Sequence, residues 1–305
     1  MVNLKAVLGI LIALLLIGLF SFYFLIPTGT INFQLSQPAN YNFRLTNSSL
    51  EEIQFYPNMR YSDSNISYRI SNKCNLQRKY DMETAFVLLE NVTILNFYPV
   101  DSDEEISVEC ENTVKIEEDF FIAGEGGPTN ITETANFNVI LHGSILLLRD
   151  SKCEKPGVAL HELLHALGFE HSENPKNIMY SVSKCGQVVG EDIPMLINEI
   201  YAVESYPDLS FENVSASMSG RYLDLNLTVR NNGLSDAESS VISVIADGKE
   251  IKNIEVDALE IGFGRAFVIT DIFVVDISVD EIELEIKYNN AELEKNNNII
   301  KLNVS

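Results

Sequence analysis

Three of the four histidines in this chain fall within eleven residues, in the run His161-Glu162-Leu163-Leu164-His165-Ala166-Leu167-Gly168-Phe169-Glu170-His171. Residues four apart share a face of a helix, so His161 and His165 project two imidazoles toward one point. Neutral imidazoles so placed can occupy two corners of a zinc tetrahedron. Glu162 sits beside them, displaced around the helix, where it can lie behind a metal-bound water rather than ligate the metal. Gly168 ends the helix, and a glycine with positive φ turns the chain back so that His171 arrives as a third donor. Each added fixed position lowers the chance that such a pattern is accidental. Pro156 to Leu167 is therefore expected to be helical, with Pro156 near the first turn, where a missing N–H costs nothing.

The rest of the chain is read around that helix. Ala6 to Ile26 is apolar apart from Ser21, and as a helix it would measure about 31 Å, close to the hydrocarbon thickness of a bilayer. Lys5 precedes the run and no charge follows until Arg44, so residues 1–27 are expected to form a single transmembrane anchor with the remainder extracytoplasmic. Cleavage as a signal peptide, giving a secreted protein, is the rival. Residues 28–57 are polar with little periodicity and read as a stalk.

Residues 58–206 alternate between strand and helix signals. Ser67–Ile70 and Glu105–Cys110 read as strands, and Met82, Ala85, Phe86 and Leu89 recur at helical spacing. Phe120–Ala123 reads as a strand entering a flexible Gly124–Pro128 loop, and Phe137–Leu141 and Ile145–Arg149 as two strands joined at His142-Gly143. A last helix is expected over Ile193–Ser205. This is an α+β pattern. From residue 207 to 305 the period is that of strands: Leu223, Leu225, Leu227 and Val229 alternate with polar residues, and Asn232-Gly233 and Asp247-Gly248 are turn signals. An all-β, immunoglobulin-like sandwich is expected there.

Four widely spaced cysteines suit an oxidising compartment. Three pairings are open to them. Sequential pairing, Cys74 with Cys110 and Cys153 with Cys185, is the expected one, since the second bridge then closes a loop around the metal helix. Seven Asn-x-Ser/Thr triplets, at Asn47, Asn65, Asn91, Asn130, Asn213, Asn226 and Asn303, point weakly the same way. A formal net charge of −23 argues against a nucleic-acid partner. Acidic stretches such as Asp101–Glu105 offer oxygen ligands suited to Ca2+, without EF-hand spacing.

The His161–His171 run is similar to the metzincin signature, and Asn177-Ile178-Met179-Tyr180 resembles its Met-turn. Gly168 to Pro175, with Ser172 after the third histidine, resembles the matrixins, the matrix-metalloproteinase branch. The resemblance covers roughly Asn58 to Tyr206 and is strongest from His161 to Tyr180. It implies a metzincin catalytic domain with a twisted mixed sheet and an active-site helix. It further implies a zinc-dependent endopeptidase, with zinc on His161, His165 and His171 and Glu162 as catalytic base and acid. Met179 would lie beneath the metal, and a polypeptide substrate along an edge strand at Phe121 to Gly124. No cysteine-bearing inhibitory motif precedes this unit, and His142 reads as a turn residue. Pro207-Asp208-Leu209, Val229 to Gly233 and Asp247-Gly248 resemble CARDB-type adhesion modules, which would give the C-terminal unit a surface or protein partner. The competing expectation is a membrane-anchored adhesin or binding protein with a vestigial or structural zinc site. Retention of Glu162 separates the two, because a structural zinc has no use for an adjacent base.

Overall fold

The computed structural model describes residues 4–24, 29–36, 53–117, 120–150, 153–276 and 278–304. In chain order the elements are helix α1 (Leu4–Phe24), strands β1 (Thr30–Leu35), β2 (Met59–Tyr61) and β3 (Asn65–Ile70), and helix α2 (Leu76–Glu90). Strands β4 (Asn96–Pro99), β5 (Ile106–Cys110), β6 (Lys115–Glu117), β7 (Phe120–Ile122), β8 (Gly124–Glu133) and β9 (Asn138–Leu147) follow. Then come helices α3 (Gly157–Ala166) and α4 (Asp192–Tyr201). Strands β10 (Leu209–Ser219), β11 (Tyr222–Asn231), β12 (Ser240–Ala246), β13 (Lys249–Val256), β14 (Gly264–Phe273), β15 (Glu281–Lys287) and β16 (Ile299–Val304) complete the order.

The first sheet is mixed. β9 runs parallel to β2 and β5 along one edge, and β5–β3–β4 continue the parallel order. Along its other edge β9 pairs antiparallel with β8, from Asn138 opposite Glu133 to Leu147 opposite Gly124. Helix α2 starts at Asn75, whose side chain accepts from the Arg78 N–H, one of the four amides a helix start leaves unpaired. Its expected stripe, Met82, Ala85, Phe86 and Leu89, is buried against this sheet. Helix α3 is buried along most of its length, packed against α2, β8 and β9. Leu163 and Leu164 are wholly buried there, and shortening either to Ala would cost about 2–5 kcal/mol.

Three expectations change. The strand through His142-Gly143 does not turn: β9 is continuous, and Gly143 leaves room for the Tyr61 hydroxyl, which donates to the Ala166 carbonyl at 3.1 Å. Gly124–Pro128 is not a loop but the first half of β8. Its glycines answer to a neighbouring helix rather than to a turn. The expected stalk, residues 28–57, begins instead with β1, which lies between β10 and β16 in the C-terminal sheet, and ends in a bridge from Gln54 to Phe169. Residues 37–52 lie outside the described residues.

The expected membrane span is not borne out. α1 is helical over Leu4–Phe24, and its described side chains, at residues 7–20, are exposed on every face. Among the described residues no helix is long and apolar enough to cross a membrane.

The C-terminal strands form one antiparallel ladder in the order β13-β12-β15-β16-β1-β10-β11-β14. Alternation along β11 places Leu223, Leu225, Leu227 and Val229 inward, where they meet Ile242, Val244, Ile282, Leu284 and Leu302 from the far half of the ladder. The ladder thus closes over its own core as a β-sandwich. Both disulfides pair in sequence, Cys74–Cys110 and Cys153–Cys185.

Candidate metal centre

Helix α3 carries His161 and His165 one turn apart, with ring centroids 4.6 Å from each other and planes nearly perpendicular. The helix ends in a Schellman motif: the Gly168 N–H donates to the His165 carbonyl at 2.9 Å and the Phe169 N–H to the Leu164 carbonyl at 3.0 Å. Gly168 has φ of +95°, and a Cβ there would lie 2.7 Å from Met59 Cγ, so conformation and packing both demand glycine. Beyond it Glu170 N–H bonds to the Ile53 carbonyl, and the reversed chain delivers His171. Its Nε2 lies 3.1 Å from that of His165, which lies 3.0 Å from that of His161.

The three Nε2 atoms converge, and the two on the helix do so as lone pairs. His161 Nδ1 is 2.7 Å from the Ile178 carbonyl oxygen and His165 Nδ1 is 2.7 Å from the Phe169 carbonyl oxygen. A carbonyl only accepts, so each Nδ1 bears the proton and each Nε2 is bare. Bare nitrogens about 3 Å apart repel one another unless a cation lies between them. Two ligands of a tetrahedral zinc stand about 3.3 Å apart, so the set fits that ion. Burial, aided for His165 by the His161 charge, lowers the pKa of both helical histidines, that of His165 to about 4, which keeps the rings neutral. Among the described residues this trio is the only cluster of three such side chains able to hold a metal, with donor atoms within 4.8 Å of one another.

The third histidine is steadied by the turn that follows. Ser172 N–H donates to the Met179 carbonyl at 2.8 Å, and the Asn177 side chain accepts from the Met179 N–H at 2.9 Å. Met179 is buried.

A family model described as Matrixin matches residues 60–202, and one described as CARDB matches residues 206–301. The chain carries a matrixin-like domain followed by a CARDB-like module. Among solved structures, the CARDB domain of a Pyrococcus furiosus protein, described as in complex with di-metal ions, is 21% identical. The match covers 33% of this chain and 88% of that one, with a TM-score of 0.28. No curated protein matches the chain.

In the matrixin-like domain Glu162 is buried between α3 and β8. A Cβ on Gly124 would lie 2.7 Å from Glu162 Cγ, and one on Gly126 would overlap the Glu162 backbone carbonyl. The two glycines therefore seat the strand directly on this residue. Burial, then the charge of Glu125, pushes the Glu162 carboxyl up to about 8 in the protein alone. Such a group exchanges a proton readily near neutral pH.

Sequence reasoning missed this seat. The expected substrate edge, Phe121–Gly124, is divided: Phe121 and Ile122 pair with β6 in a separate hairpin, and Gly124 begins β8. The strand at the site is β8, whose outer edge carries no strand among the described residues. A Gly-x-Gly beside a metal-site helix was the available signal. Also unforeseen are the Ile178 and Phe169 carbonyls and the ring of Phe55, stacked on His165 at 5.9 Å. His142 lies away from the trio, its Nδ1 2.6 Å from the Thr129 hydroxyl.

Proposed function

We propose that the matrixin-like domain is a zinc-dependent endopeptidase, with His161, His165 and His171 as ligands and Glu162 as general base and acid. The observation that carries this reading is the convergence of three imidazole Nε2 atoms, those of His161 and His165 unprotonated, beside a buried carboxyl. A structural zinc would take a fourth protein ligand, and Glu162 instead adjoins the trio without joining it.

Zinc, when bound, supplies an activated water and a positive charge to polarise a carbonyl. The chain's own groups do the rest. His161 and His165 are locked in one tautomer by the Ile178 and Phe169 carbonyls, so their donor atoms need no reorganisation. Glu162 takes a proton from the attacking water and returns it to the leaving amine nitrogen. The free edge of β8 offers backbone N–H and C=O groups to an extended polypeptide, which would add to the sheet as a further strand. That arrangement selects peptides in unfolded or loop conformation.

An extracytoplasmic location belongs to the same reading, with the protein tethered through its apolar N-terminal run or released from it. Two disulfides in a chain without free cysteines favour an oxidising compartment. The CARDB-like module then faces a surface or protein partner outside the cell.

The test is Glu162→Gln in the full chain, assayed for zinc content and for cleavage of a broad peptide library. The variant should keep about one zinc and lose at least about a hundredfold in kcat. Cleavage at the parental rate would remove Glu162 from the mechanism. A parent that holds zinc yet cleaves nothing would favour the adhesin reading.

A further inference from the structure

Strand β8 is weakly held by its own side chains. None of its ten residues is fully buried, Pro128 has no N–H to give, and the register with β9 shifts on both sides of Asn130. Yet this is the strand that lies on Glu162. Its placement must come from β9 and from whatever grips its far end.

That grip comes from the CARDB-like module. Arg230 Nη2 donates to the Glu133 carbonyl oxygen at 2.9 Å, and the Ala135 N–H donates to Asn232 Oδ1 at 3.2 Å. Gly262, with φ of +75°, approaches so closely that a Cβ there would overlap the Thr132 hydroxyl. Phe137 and Val139 of the matrixin-like domain share a small apolar cluster with Leu234 and Ile261 of the module. The gripping groups are themselves fixed: Asn232 is buried, its Nδ2 bonds to Ser210 Oγ at 2.9 Å and its N–H to the Asp208 carbonyl at 2.7 Å. The module is also fastened on both sides of the matrixin-like domain, since β1, which precedes that domain, pairs with β10, which follows it.

We propose that the module positions the cleavage site: by clamping the β8–β9 turn through Arg230, Asn232 and Gly262 it fixes how β8 lies over Glu162 and how a substrate strand is presented there. This rests on the peptidase reading for its consequence, but the clamp itself does not. β8 behaves as a lever some 30 Å long, held at Glu133 by the module and bearing on α3 at Gly124 and Gly126. Arg230, Asn232 and Gly262 are positioning residues, remote from the reacting atoms.

The experiment compares full-length parent, Arg230→Ala, Arg230→Lys and Gly262→Val by amide hydrogen exchange, zinc content and peptide cleavage. Exchange over residues 124–133 should quicken in Arg230→Ala and more so in Gly262→Val, while exchange in α2 and zinc content stay at parental levels. The value of kcat/KM should fall roughly tenfold to a hundredfold, as small misplacements at a distance do. Arg230→Lys, which can still donate to the Glu133 carbonyl, should recover most of it. Parental exchange at β8 in both Arg230→Ala and Gly262→Val would overturn the proposal. So would a loss of cleavage accompanied by zinc loss or by faster exchange throughout the domain. If the parent cleaves nothing but β8 exchange responds as expected, the clamp stands and the peptidase reading falls.

Discussion

His161 Nδ1 donates to the carbonyl oxygen of Ile178 at 2.7 Å, joining the metal helix to the turn that carries Met179. One bond does two things. It fixes the ring with Nε2 toward His165 and His171, and it ties the end of α3's histidine face to a loop seventeen residues further along. His161→Ala removes both a ligand and this tie. Loss of a mere supporting partner weakens metal sites tenfold to a hundredfold, so this change should weaken zinc binding by more than about a hundredfold. Competition against a chromogenic chelator measures it, and binding within a few-fold of the parent would exclude His161 as a ligand.

Gly126→Ala should be costly and Gly127→Ala should not. The new methyl at 126 would overlap the Glu162 carbonyl oxygen and stand 2.9 Å from Glu162 Cα, both backbone atoms of a covered helix. The strand must lift, at about 1–3 kcal/mol. At Gly127 nothing lies within 4 Å of the same methyl. Urea denaturation of the two variants gives the comparison, and equal midpoints would mean that β8 does not bear on α3 as described.

The bridge Cys153–Cys185 spans 32 residues and encloses α3, the trio and the Met179 turn. Replacing both cysteines with serine should lower stability by roughly 3–4 kcal/mol through the freed loop. Zinc should then be lost at lower chelator concentration, because the enclosed loop delivers His171. Chelator titration and denaturation on one preparation would separate the two effects.

The metal trio was legible because its members lie close in sequence on one helix and its exit, where spacing alone decides geometry. The alternation of β11 and the stripe on α2 were legible for the same local reason. β8 was not. Gly124, Gly126 and Gly127 read as a loop, since in sequence a glycine that permits a turn looks like one that permits another backbone to approach. β1 was missed for a different reason. Thr-Ile-Asn-Phe-Gln-Leu buries only Phe33 and draws its pairing from residues 216–219 and 302–304, which no local pattern foretells. Arg78 is buried and donates to the carbonyls of Glu111, Leu147 and Leu148, partners 33 to 70 residues away that no local pattern foretells.

A last prediction concerns Asp208, which is buried at the start of the module with Oδ1 accepting from Asn297 Nδ2 at 2.7 Å. Burial pushes its carboxyl up to about 6, the Asn297 bond opposes this, and Glu292 and Glu294 add to the rise. Glu292, itself buried, is raised as well. A carboxyl raised in the folded state binds its proton more tightly there than in the unfolded chain. The stability this contributes is therefore fully present below about pH 4 and lost as pH rises through about 6. On going from pH 7 to pH 4 the parent should gain, relative to Asp208→Asn, on the order of 2 kcal/mol. Comparing parent with variant by denaturation at each pH cancels the effect of acid on the distant histidines, which both proteins share. Parallel stability curves from pH 4 to 7 would mean that Asp208 titrates as an ordinary exposed carboxylate.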